Sequence, residues 1–234
     1  MNDQAFESYP RPAVTVDLVL MTVTGGRLAA LLQHRERAPD AGLWALPGGF
    51  VGIDEPLDAA AARILAAKAH MEGAWLEQLY TFGAPARDPR GRVITVAYFA
   101  LLPEQQFAAA LEAAPDLALA EIAVPWAGEV GGPVEACDAD GAALSLAFDH
   151  ADILALAVKR LRGKLDYSGI GFALLPPLFT LRELQQVHEA ILGATLHKPA
   201  FRRRMLDKGW LEATGERESG TGFRPAELYR HHIA

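Results

Sequence analysis

The sequence predicts an α/β protein made of two consecutive domains, and three observations support this prediction. Strand-like runs of β-branched and aliphatic residues alternate with helical patterns as far as about residue 163. From Leu174 onward, two short amphipathic helices are followed by two strand-like runs. The charge also changes, because residues 1–158 carry 9 Lys or Arg against 21 Asp or Glu, whereas residues 159–234 carry 13 against 8. We therefore predict one domain over residues 1–164 and a second over residues 165–234.

Length and composition restrict the possible classes of protein. With 234 residues, of which 51% are hydrophobic, the chain can form two domains that each have a core. The sequence contains no run of about 18 uncharged apolar residues, and its start lacks a basic segment followed by an apolar block. We therefore expect a cytoplasmic protein with no membrane partner. The single cysteine, Cys137, excludes an internal disulfide framework and a cysteine metal cluster.

The elements of the first domain follow from its apolar patterns. Two strand-like runs, residues 14–23 and 28–32, are joined by a tight turn at Gly25-Gly26. Polar residues 33–37 then leave the sheet. Later elements are a helix over residues 56–72, strands over residues 76–82, 93–102 and 121–126, and a surface excursion over residues 127–141. A last helix runs from Asp149, a plausible N-cap, to about Gly163.

Residues 44–71, with the sequence WALPGGFVGIDEPLDAAAARILAAKAHM, are the most informative stretch of the chain. They predict a short strand, a Gly-Gly turn and a helix, and they resemble a Nudix box. That family pattern is Gly, five residues, Glu, seven residues, Arg-Glu, an aliphatic residue, any residue, Glu-Glu, any residue, Gly and an aliphatic residue. Gly49, Glu55 and Arg63 occupy its first three fixed positions. The next fixed positions are not matched, because they hold Ile64, Ala67, Lys68 and His70.

The departures from the Nudix pattern fall on the metal site. Hydrolysis of a nucleoside diphosphate derivative requires oxygen ligands for magnesium, and Ala67 has none to offer. We therefore expect no catalytic residue, no bound metal and no enzymatic activity. Lys68 lies on the same helical arc as Ile64, and we hypothesise that its ammonium stands near the position of the missing cation. A lysine that only extends past an apolar face would have the same spacing.

The Nudix resemblance also points to candidate ligand contacts. Gly48 and Gly49 give the flexible backbone at the start of the box, where a ligand can approach closely. Residues 78–101, QLYTFGAPARDPRGRVITVAYFAL, resemble a segment of ADP-ribose-binding Nudix proteins, in which arginines suit phosphate oxygens and an aromatic ring can stack on adenine. The candidate ligand-binding residues are Arg35, Gly48, Gly49, Lys68, Phe82, Arg90 and Arg92, with Tyr80 as an alternative to Phe82. For each arginine, a side chain in a solvated loop remains the alternative.

The second domain carries the pattern of a winged helix-turn-helix. Thr180 and Glu183 form a capping box that starts one helix, and Gly193 closes that helix. Pro199 fits the first turn of a basic second helix, which Gly209 ends. Residues 210–214 and 223–229 can then pair as two strands around a charged, glycine-rich tip. A helix, a turn, a basic helix and a hairpin in this order predict a winged helix.

A basic second helix can enter the major groove of double-stranded DNA, where arginine pairs with guanine edges. The candidate DNA-binding residues are Thr180, Lys198, Arg202, Arg203, Arg204, Lys208, Arg217 and Arg224. The alternative is a small protein-binding module whose basic helix is only solvated.

The chain as a whole resembles the Nudix-related transcriptional regulators of bacterial NAD metabolism. The segments that carry the resemblance are LAFDHADILALAVKRLRGKLDYS, LLPPLFTLRELQQVHEAILG and KPAFRRRML. The resemblance implies a Nudix α/β/α sandwich with a mixed sheet, and a repressor that acts as a homodimer on an imperfect palindrome in its DNA operator. It also implies that ADP-ribose is the effector that releases the protein from DNA, with no required cofactor.

Two other functions remain open at this stage. The first is an active Nudix ADP-ribose pyrophosphatase with an accessory domain, which would have to recruit magnesium through Glu55 and a residue outside the box such as Glu72. The second is a related regulator that senses a sugar or a sugar phosphate. The arginine-rich loop favours a phosphorylated ligand over a neutral sugar.

Overall fold

A computed structural model describes residues 9–219 and 225–232 of the chain. Within those residues, no helix is long and apolar enough to cross a membrane. The described part of the first domain contains one nine-stranded mixed sheet. Its strands are β1 (Ala13–Thr24), β2 (Arg27–His34), β3 (Trp44–Ala45), β4 (Gly48–Phe50), β5 (Glu77–Phe82), β6 (Val93–Leu101), β7 (Leu117–Ala123), β8 (Glu135–Cys137) and β9 (Ala143–Leu144).

The strand order is β5-β6-β1-β2-β7-β8-β9, with β3 paired to β2 and β4 paired to β1. Strands β1 and β6 are parallel, and the neighbouring pairs β1–β2 and β5–β6 are antiparallel. Strand β1 is rich in β-branched and aliphatic residues and alternates between two cores, as the period of two requires. Val16, Leu18 and Leu20 face one core, whereas Val19 and Met21 face the other.

Helices cover both faces of the sheet, which confirms the predicted α/β/α sandwich. Helices α1 (Leu57–Ala69) and α2 (Glu104–Ala113) pack on one face, and α3 (His150–Lys164) packs on the other. Helix α1 buries Ile64 and Leu65, which belong to the Nudix-like stretch. It is shorter than predicted, because His70 adopts φ 52° and its amide donates to the carbonyl of Leu65, which ends the helix.

Four further details of the first domain differ from the prediction. Helix α2 was not predicted. The late strand is β7, which begins and ends earlier than residues 121–126, and the segment predicted as a surface excursion contains β8, which pairs with β7. Asp149 precedes α3 but makes no side-chain cap. Asp149 is still the N-cap residue, as predicted, but its carboxylate accepts two hydrogen bonds from Arg87 instead of capping the helix.

The second domain is a winged helix, as predicted. A 3-10 turn at Ile170–Leu174 leads to β10 (Phe179–Thr180), helices α4 (Leu181–Leu192) and α5 (Lys198–Asp207), and strands β11 (Leu211–Arg217) and β12 (Glu227–His231). Strand β12 pairs with both β11 and β10, and β10 was not predicted. The core of this domain contains Phe172, Phe179, Leu184, Phe201 and Met205.

The predicted capping box of α4 is present. The hydroxyl of Thr180 accepts from the Glu183 amide at 3.2 Å, and the Glu183 carboxylate accepts from the Thr180 amide at 2.7 Å. Gly193 closes the helix at φ 64°. Thr180 is buried and has this structural role, and it also lies in the wall of a surface cavity formed with α5 and the β11–β12 hairpin.

The cap can be tested by substitution. We expect Thr180→Ala to lower the free energy of unfolding by about 1 kcal/mol, because the Glu183 amide loses its partner. Thr180→Ser is the control, since it keeps the hydroxyl while losing the methyl group. Denaturant unfolding followed by circular dichroism measures both variants, and equal losses for alanine and serine would contradict the capping role.

Candidate functional site

A cavity of about 680 Å³ opens at one end of the sheet of the first domain. That volume lies within the range typical of small-molecule sites. Its walls come from β1, the segment after β2, the Nudix-like stretch, the loop between β5 and β6, and the start of α3. The residues that matter most for its chemistry are Asp17, Arg35, Gly48, Gly49, Phe50, Lys68, Arg87, Asp88, Arg90, Phe148 and His150.

Close packing in the Nudix-like stretch requires glycine at position 48. Strand β4 pairs with β1 so that Gly48 lies opposite Asp17. A Cβ atom on Gly48 would stand 2.1 Å from the Asp17 carboxylate, so a side chain there would displace that group. A Cβ atom on Gly49 would be in ordinary contact with Ile64 of α1 at 3.5 Å. The Gly48 backbone therefore fits directly against the floor of the cavity.

A buried ion network forms that floor. Arg87 donates to both carboxylate oxygens of Asp149, at 2.8 and 2.7 Å, and lies 3.5 Å from the Asp17 carboxylate. Burial acts to lower the pKa of Arg87, but the hydrogen bond that it donates to Asp149 and the charges of Asp149 and Asp17 outweigh burial and raise the pKa. The guanidinium therefore remains charged and holds β1 and the start of α3 together.

His150 lies beside this network and is almost fully buried. Its Nδ1 accepts a hydrogen bond from the Leu46 amide at 2.9 Å, and its Nε2 is 3.8 Å from the Asp17 carboxylate. Burial lowers the pKa of His150, although the charges of Asp17 and Asp149 act in the opposite direction. The imidazole is therefore neutral at about pH 7, with its hydrogen on Nε2.

Aromatic rings and arginines line the mouth of the cavity. The Arg35 guanidinium lies 4.6 Å from the centre of the Phe148 ring, and the Arg90 guanidinium lies 5.6 Å from the Phe50 ring and 5.8 Å from the Phe148 ring. Asp88 holds Arg90 in place through two hydrogen bonds of 3.0 and 2.7 Å.

Phe148 adopts φ 53°, which is an unusual backbone conformation for a residue with a large side chain. Its amide donates to the Asp40 carboxylate at 3.0 Å, and Asp40 also has a positive φ, of 58°. Residues held in such conformations concentrate at functional sites, where the surrounding structure compensates for the strain. The Phe148 ring is therefore held in a fixed place at the mouth of the cavity.

Five of the seven predicted ligand-binding residues line this cavity, namely Arg35, Gly48, Gly49, Lys68 and Arg90. Phe82 and Arg92 do not. Phe82 packs against the hydrophobic core, and Arg92 donates to the carbonyls of Gly83 and Ala84 at 2.7 and 3.3 Å, so it braces its own loop. Sequence reasoning missed Arg87, Phe148 and His150. For Phe148 and His150, the only signal in the sequence is the run FDH at residues 148–150, where a predicted helix begins.

The divalent cation that a Nudix fold implies does not fit the residues present. Arg63 donates to both oxygens of the Glu55 carboxylate at 2.7 and 2.8 Å, and the Gly52 amide also donates to it. The hydrogen bond from Arg63 is the main reason that the pKa of Glu55 falls to about 2. Ala67 has no ligand atom, Lys68 carries a positive charge, and Glu72 is not part of the cavity wall. Within residues 9–219 and 225–232, no group of three His, Cys, Asp or Glu side chains could hold a metal ion.

The predicted DNA-binding residues divide into two faces of the winged helix. Lys198, Arg202 and Arg217 line a surface cavity of about 500 Å³ between α4, α5 and the β11–β12 hairpin. Arg182 also lies there and pairs with Glu218 at 3.2 Å. Arg203 is exposed on α5. Arg224 lies outside the described residues.

Arg204 and Lys208 lie on a different face of α5 from Arg202. Arg204 is 3.5 Å from the Asp166 carboxylate, and the Lys208 ammonium donates to the Asp166 carbonyl. Both side chains therefore contact the segment that follows α3, while the Arg204 side chain stays 43% exposed.

Comparison with known proteins covers both halves of the chain. The profile of the NUDIX domain matches residues 11–126, and that of the NrtR DNA-binding winged helix domain matches residues 171–231. The ADPR responsive transcriptional repressor NtrR of Acinetobacter baylyi is 38% identical over 237 residues, covering 98% of this chain and 88% of that protein. The chain belongs to the NrtR family. The predicted resemblance to Nudix-related regulators is thus confirmed.

Two solved structures of Shewanella oneidensis NrtR resemble the chain. The structure complexed with a 27mer DNA is 37% identical, has a TM-score of 0.74, and is matched over 94% of this chain and 93% of that chain. The NUDIX domain of the same protein complexed with ADP ribose is 32% identical, has a TM-score of 0.50, and is matched over 69% of this chain and 99% of that chain. The fold of this NrtR family member therefore agrees with experimental structures.

The buried histidine makes stability depend on pH. The folded state keeps His150 neutral, whereas the unfolded chain binds a proton near the ordinary pKa of about 6.5. The unfolded state therefore binds more protons, so this contribution to stability is present above about pH 6.5 and decreases as the pH falls below that value. We expect His150→Asn, whose amide oxygen can still accept from Leu46, to lose less stability than the wild type between about pH 7.5 and 5.5. Thermal unfolding at both pH values measures this difference, and equal losses would contradict it.

The ion network predicts a large effect for Arg87. We expect Arg87→Met to lower the free energy of unfolding by about 3–5 kcal/mol, because two carboxylates are left buried without their cation. Arg92→Met is the control in the same loop, and we expect it to cost less than about 1 kcal/mol because Arg92 is exposed. Denaturant unfolding of both variants tests this, and similar losses would show that the network does not stabilise the fold.

Proposed function

We propose that this protein is a DNA-binding transcriptional repressor whose first domain binds ADP-ribose and thereby releases the second domain from DNA. The observation that carries the proposal is the Nudix cavity in which Lys68 and Ala67 replace the metal-binding glutamates. The names of its relatives support it, since a protein 38% identical to it is an ADPR responsive transcriptional repressor. We propose residues 1–164 as the sensing domain and residues 165–234 as the DNA-binding domain.

The cavity suits a nucleoside diphosphate sugar in size and in charge. Arg35, Lys68 and Arg90 line it and carry positive charge that suits phosphate oxygens. Arg90 is paired with Asp88, whereas the Lys68 ammonium has no hydrogen bond or ion pair among the described residues. The rings of Phe50 and Phe148 lie at its mouth, where one of them can stack on a base. The positive charges favour a phosphorylated ligand over the neutral sugar sensed by the alternative kind of regulator.

We propose that the bound ligand is not hydrolysed. In the Nudix reaction, carboxylates hold a divalent cation that neutralises the diphosphate and activates a water molecule. Here Lys68 takes over part of the neutralisation, but an ammonium group does not coordinate or activate water. The paired Glu55 and Arg63 then serve to hold the loop before α1 against the Phe50 carbonyl, to which Arg63 also donates at 3.0 Å.

We propose that the second domain binds a double-stranded DNA operator through the face that carries Lys198, Arg202 and Arg217, together with the exposed Arg203. Basic side chains on a recognition helix contact guanine edges and phosphates. A homodimer would present two such faces to the halves of an imperfect palindrome. The resemblance of the chain points to genes of NAD biosynthesis or salvage as targets.

The regulatory mechanism follows from thermodynamic linkage between the binding of ADP-ribose and the binding of DNA. A ligand can release DNA only if it binds the conformation that has low affinity for DNA more tightly than the conformation that has high affinity. DNA must then weaken ADP-ribose binding by the same factor. NAD breakdown that raises ADP-ribose would thereby relieve repression.

The proposal is tested by titrating ADP-ribose into a complex of the protein with DNA from upstream of its neighbouring genes, with magnesium present and product formation monitored. We expect release of DNA without hydrolysis. We expect Arg202→Ala to weaken DNA binding about tenfold, by about 1.4 kcal/mol, and to leave ADP-ribose binding unchanged. Lys68→Gln should do the reverse, because it removes a cation from the cavity wall only.

Each of these variants is the control for the other. Turnover of ADP-ribose with no specific DNA binding would instead favour an ADP-ribose pyrophosphatase with an accessory domain. Release by a sugar phosphate but not by ADP-ribose would favour the alternative regulator.

A further inference from the structure

Helix α3 connects the ligand cavity to the winged helix. Its first residue, His150, lies in the cavity wall, and its last turn contains Arg162 and ends at Lys164. With 15 residues, the helix spans about 22 Å. It lies between the two matched family domains, which cover residues 11–126 and 171–231. The helix therefore provides a continuous connection from the cavity wall to the start of the second domain.

Arg162 attaches the end of α3 to the end of α4. It is 2% exposed, and its Nε donates to the Ile191 carbonyl at 2.9 Å while its Nη1 donates to the Trp126 carbonyl at 2.6 Å. Its guanidinium also lies 4.5 Å from the Trp126 ring. Burial lowers its pKa, and no carboxylate of the described residues pairs with it.

The Ile191 carbonyl is a suitable acceptor for this buried cation. It belongs to the last turn of α4, where helix carbonyls have no partner within the helix and carry the negative end of the helix dipole. Because a buried guanidinium must keep its hydrogen bonds, the end of α4 follows the end of α3. Arg162 thus joins one helix of the helix-turn-helix to the first domain.

Asp166 attaches the second helix of that motif. It follows α3 directly, its carboxylate lies 3.5 Å from Arg204, and its carbonyl accepts from Lys208. Both partners lie on the side of α5 that faces away from Arg202. A single exposed ion pair contributes little to stability, but two contacts from one residue determine where α5 lies relative to α3.

Apolar packing supports the same connection. Val187 and Ile191 of α4 belong to the hydrophobic core that also contains Ile153, Leu154 and Leu161 of α3. The first half of α4 instead contributes Leu181 and Leu184 to the core of the winged helix. Helix α4 therefore takes part in both cores, so it cannot remain in place when α3 moves.

We propose that Arg162 and Asp166 are the positioning residues through which a ligand at the His150 end of α3 moves α4 and α5. This inference rests on the proposed function, because it uses ADP-ribose as the ligand of the cavity. Arg204 and Lys208 act in it as the anchors of α5, while Lys198, Arg202 and Arg203 face DNA. Coupling between sites requires an element with two arrangements that both sites bias. Helix α3 is placed for this role, because its start lies in the cavity wall and its end is attached to the winged helix.

Hydrogen–deuterium exchange of the full chain, with and without saturating ADP-ribose, tests this inference without DNA. In the wild type we expect ADP-ribose to change exchange both at residues 148–152, beside the cavity, and at residues 198–207 of α5. In both Arg162→Lys and Asp166→Asn, the change at residues 148–152 should persist. The change at residues 198–207 should fall by about threefold or more in Arg162→Lys. It should fall by a smaller factor in Asp166→Asn, which loses the charge paired with Arg204 but keeps the backbone carbonyl that accepts from Lys208. Calorimetry should show unchanged affinity for ADP-ribose.

The control variant is Asp207→Asn, which removes the same charge from α5 itself, where the carboxylate has no hydrogen bond or ion pair among the described residues. It should respond as the wild type does. Asp166 is exposed, so its variant remains informative even if Arg162→Lys fails to fold.

The inference would be overturned if ADP-ribose changed exchange in α5 of Asp166→Asn as much as in the wild type. It would also be overturned if the wild type responded only at residues 148–152. Either result would still agree with ADP-ribose as the ligand of the cavity. The absence of any response at residues 148–152 would instead overturn the proposed function, and the coupling with it.

Discussion

Arg87 joins three distant parts of the chain through charges that are removed from water. Its guanidinium lies in the loop between β5 and β6, its main partner Asp149 precedes α3, and Asp17 belongs to β1. A buried charge lowers the stability of the fold unless an opposite charge is paired with it. These three segments must therefore come together when the protein folds. The network thereby places His150, Phe148 and the Gly48 backbone around one cavity. It also determines where α3 begins, and hence the direction in which that helix reaches the second domain.

The strand, turn and helix of the Nudix-like stretch are kept because the fixed residues that remain in it make contacts that stabilise the fold. Glu55 and Arg63 hold the loop before α1, and Gly48 allows β4 to pack against the Asp17 carboxylate. None of these contacts depends on the glutamates that would bind a cation. Replacement of those glutamates by Ala67 and Lys68 therefore removes the metal site while the shape of the cavity is kept.

The two domains share one helix, and that arrangement distributes the basic residues of the winged helix between two tasks. Helix α4 contributes to both hydrophobic cores, and Arg162 bonds its last turn. On α5, Arg202 lies in the open face, whereas Arg204 and Lys208 contact Asp166. Arg202 and Arg204 thus have different surroundings although they are two residues apart, since their side chains point about 200° apart around the helix axis.

The sequence by itself determined the features that are made of near neighbours. The capping box of Thr180 and Glu183, the helix end at Gly193 and the loss of metal ligands at Ala67 and Lys68 can be read from the sequence, because each depends on residues that are close together in the chain. Only the tertiary structure decided the partners that are far apart in the chain. Arg87 and Asp149 are separated by 62 residues, and His150 bonds Leu46 across 104. It also directed Arg92 and Phe82 away from the cavity and Arg204 toward Asp166. The physical reason is that sequence spacing specifies on which face of a helix or strand a side chain lies. Packing and the removal of water specify which residues that face contacts in the folded protein.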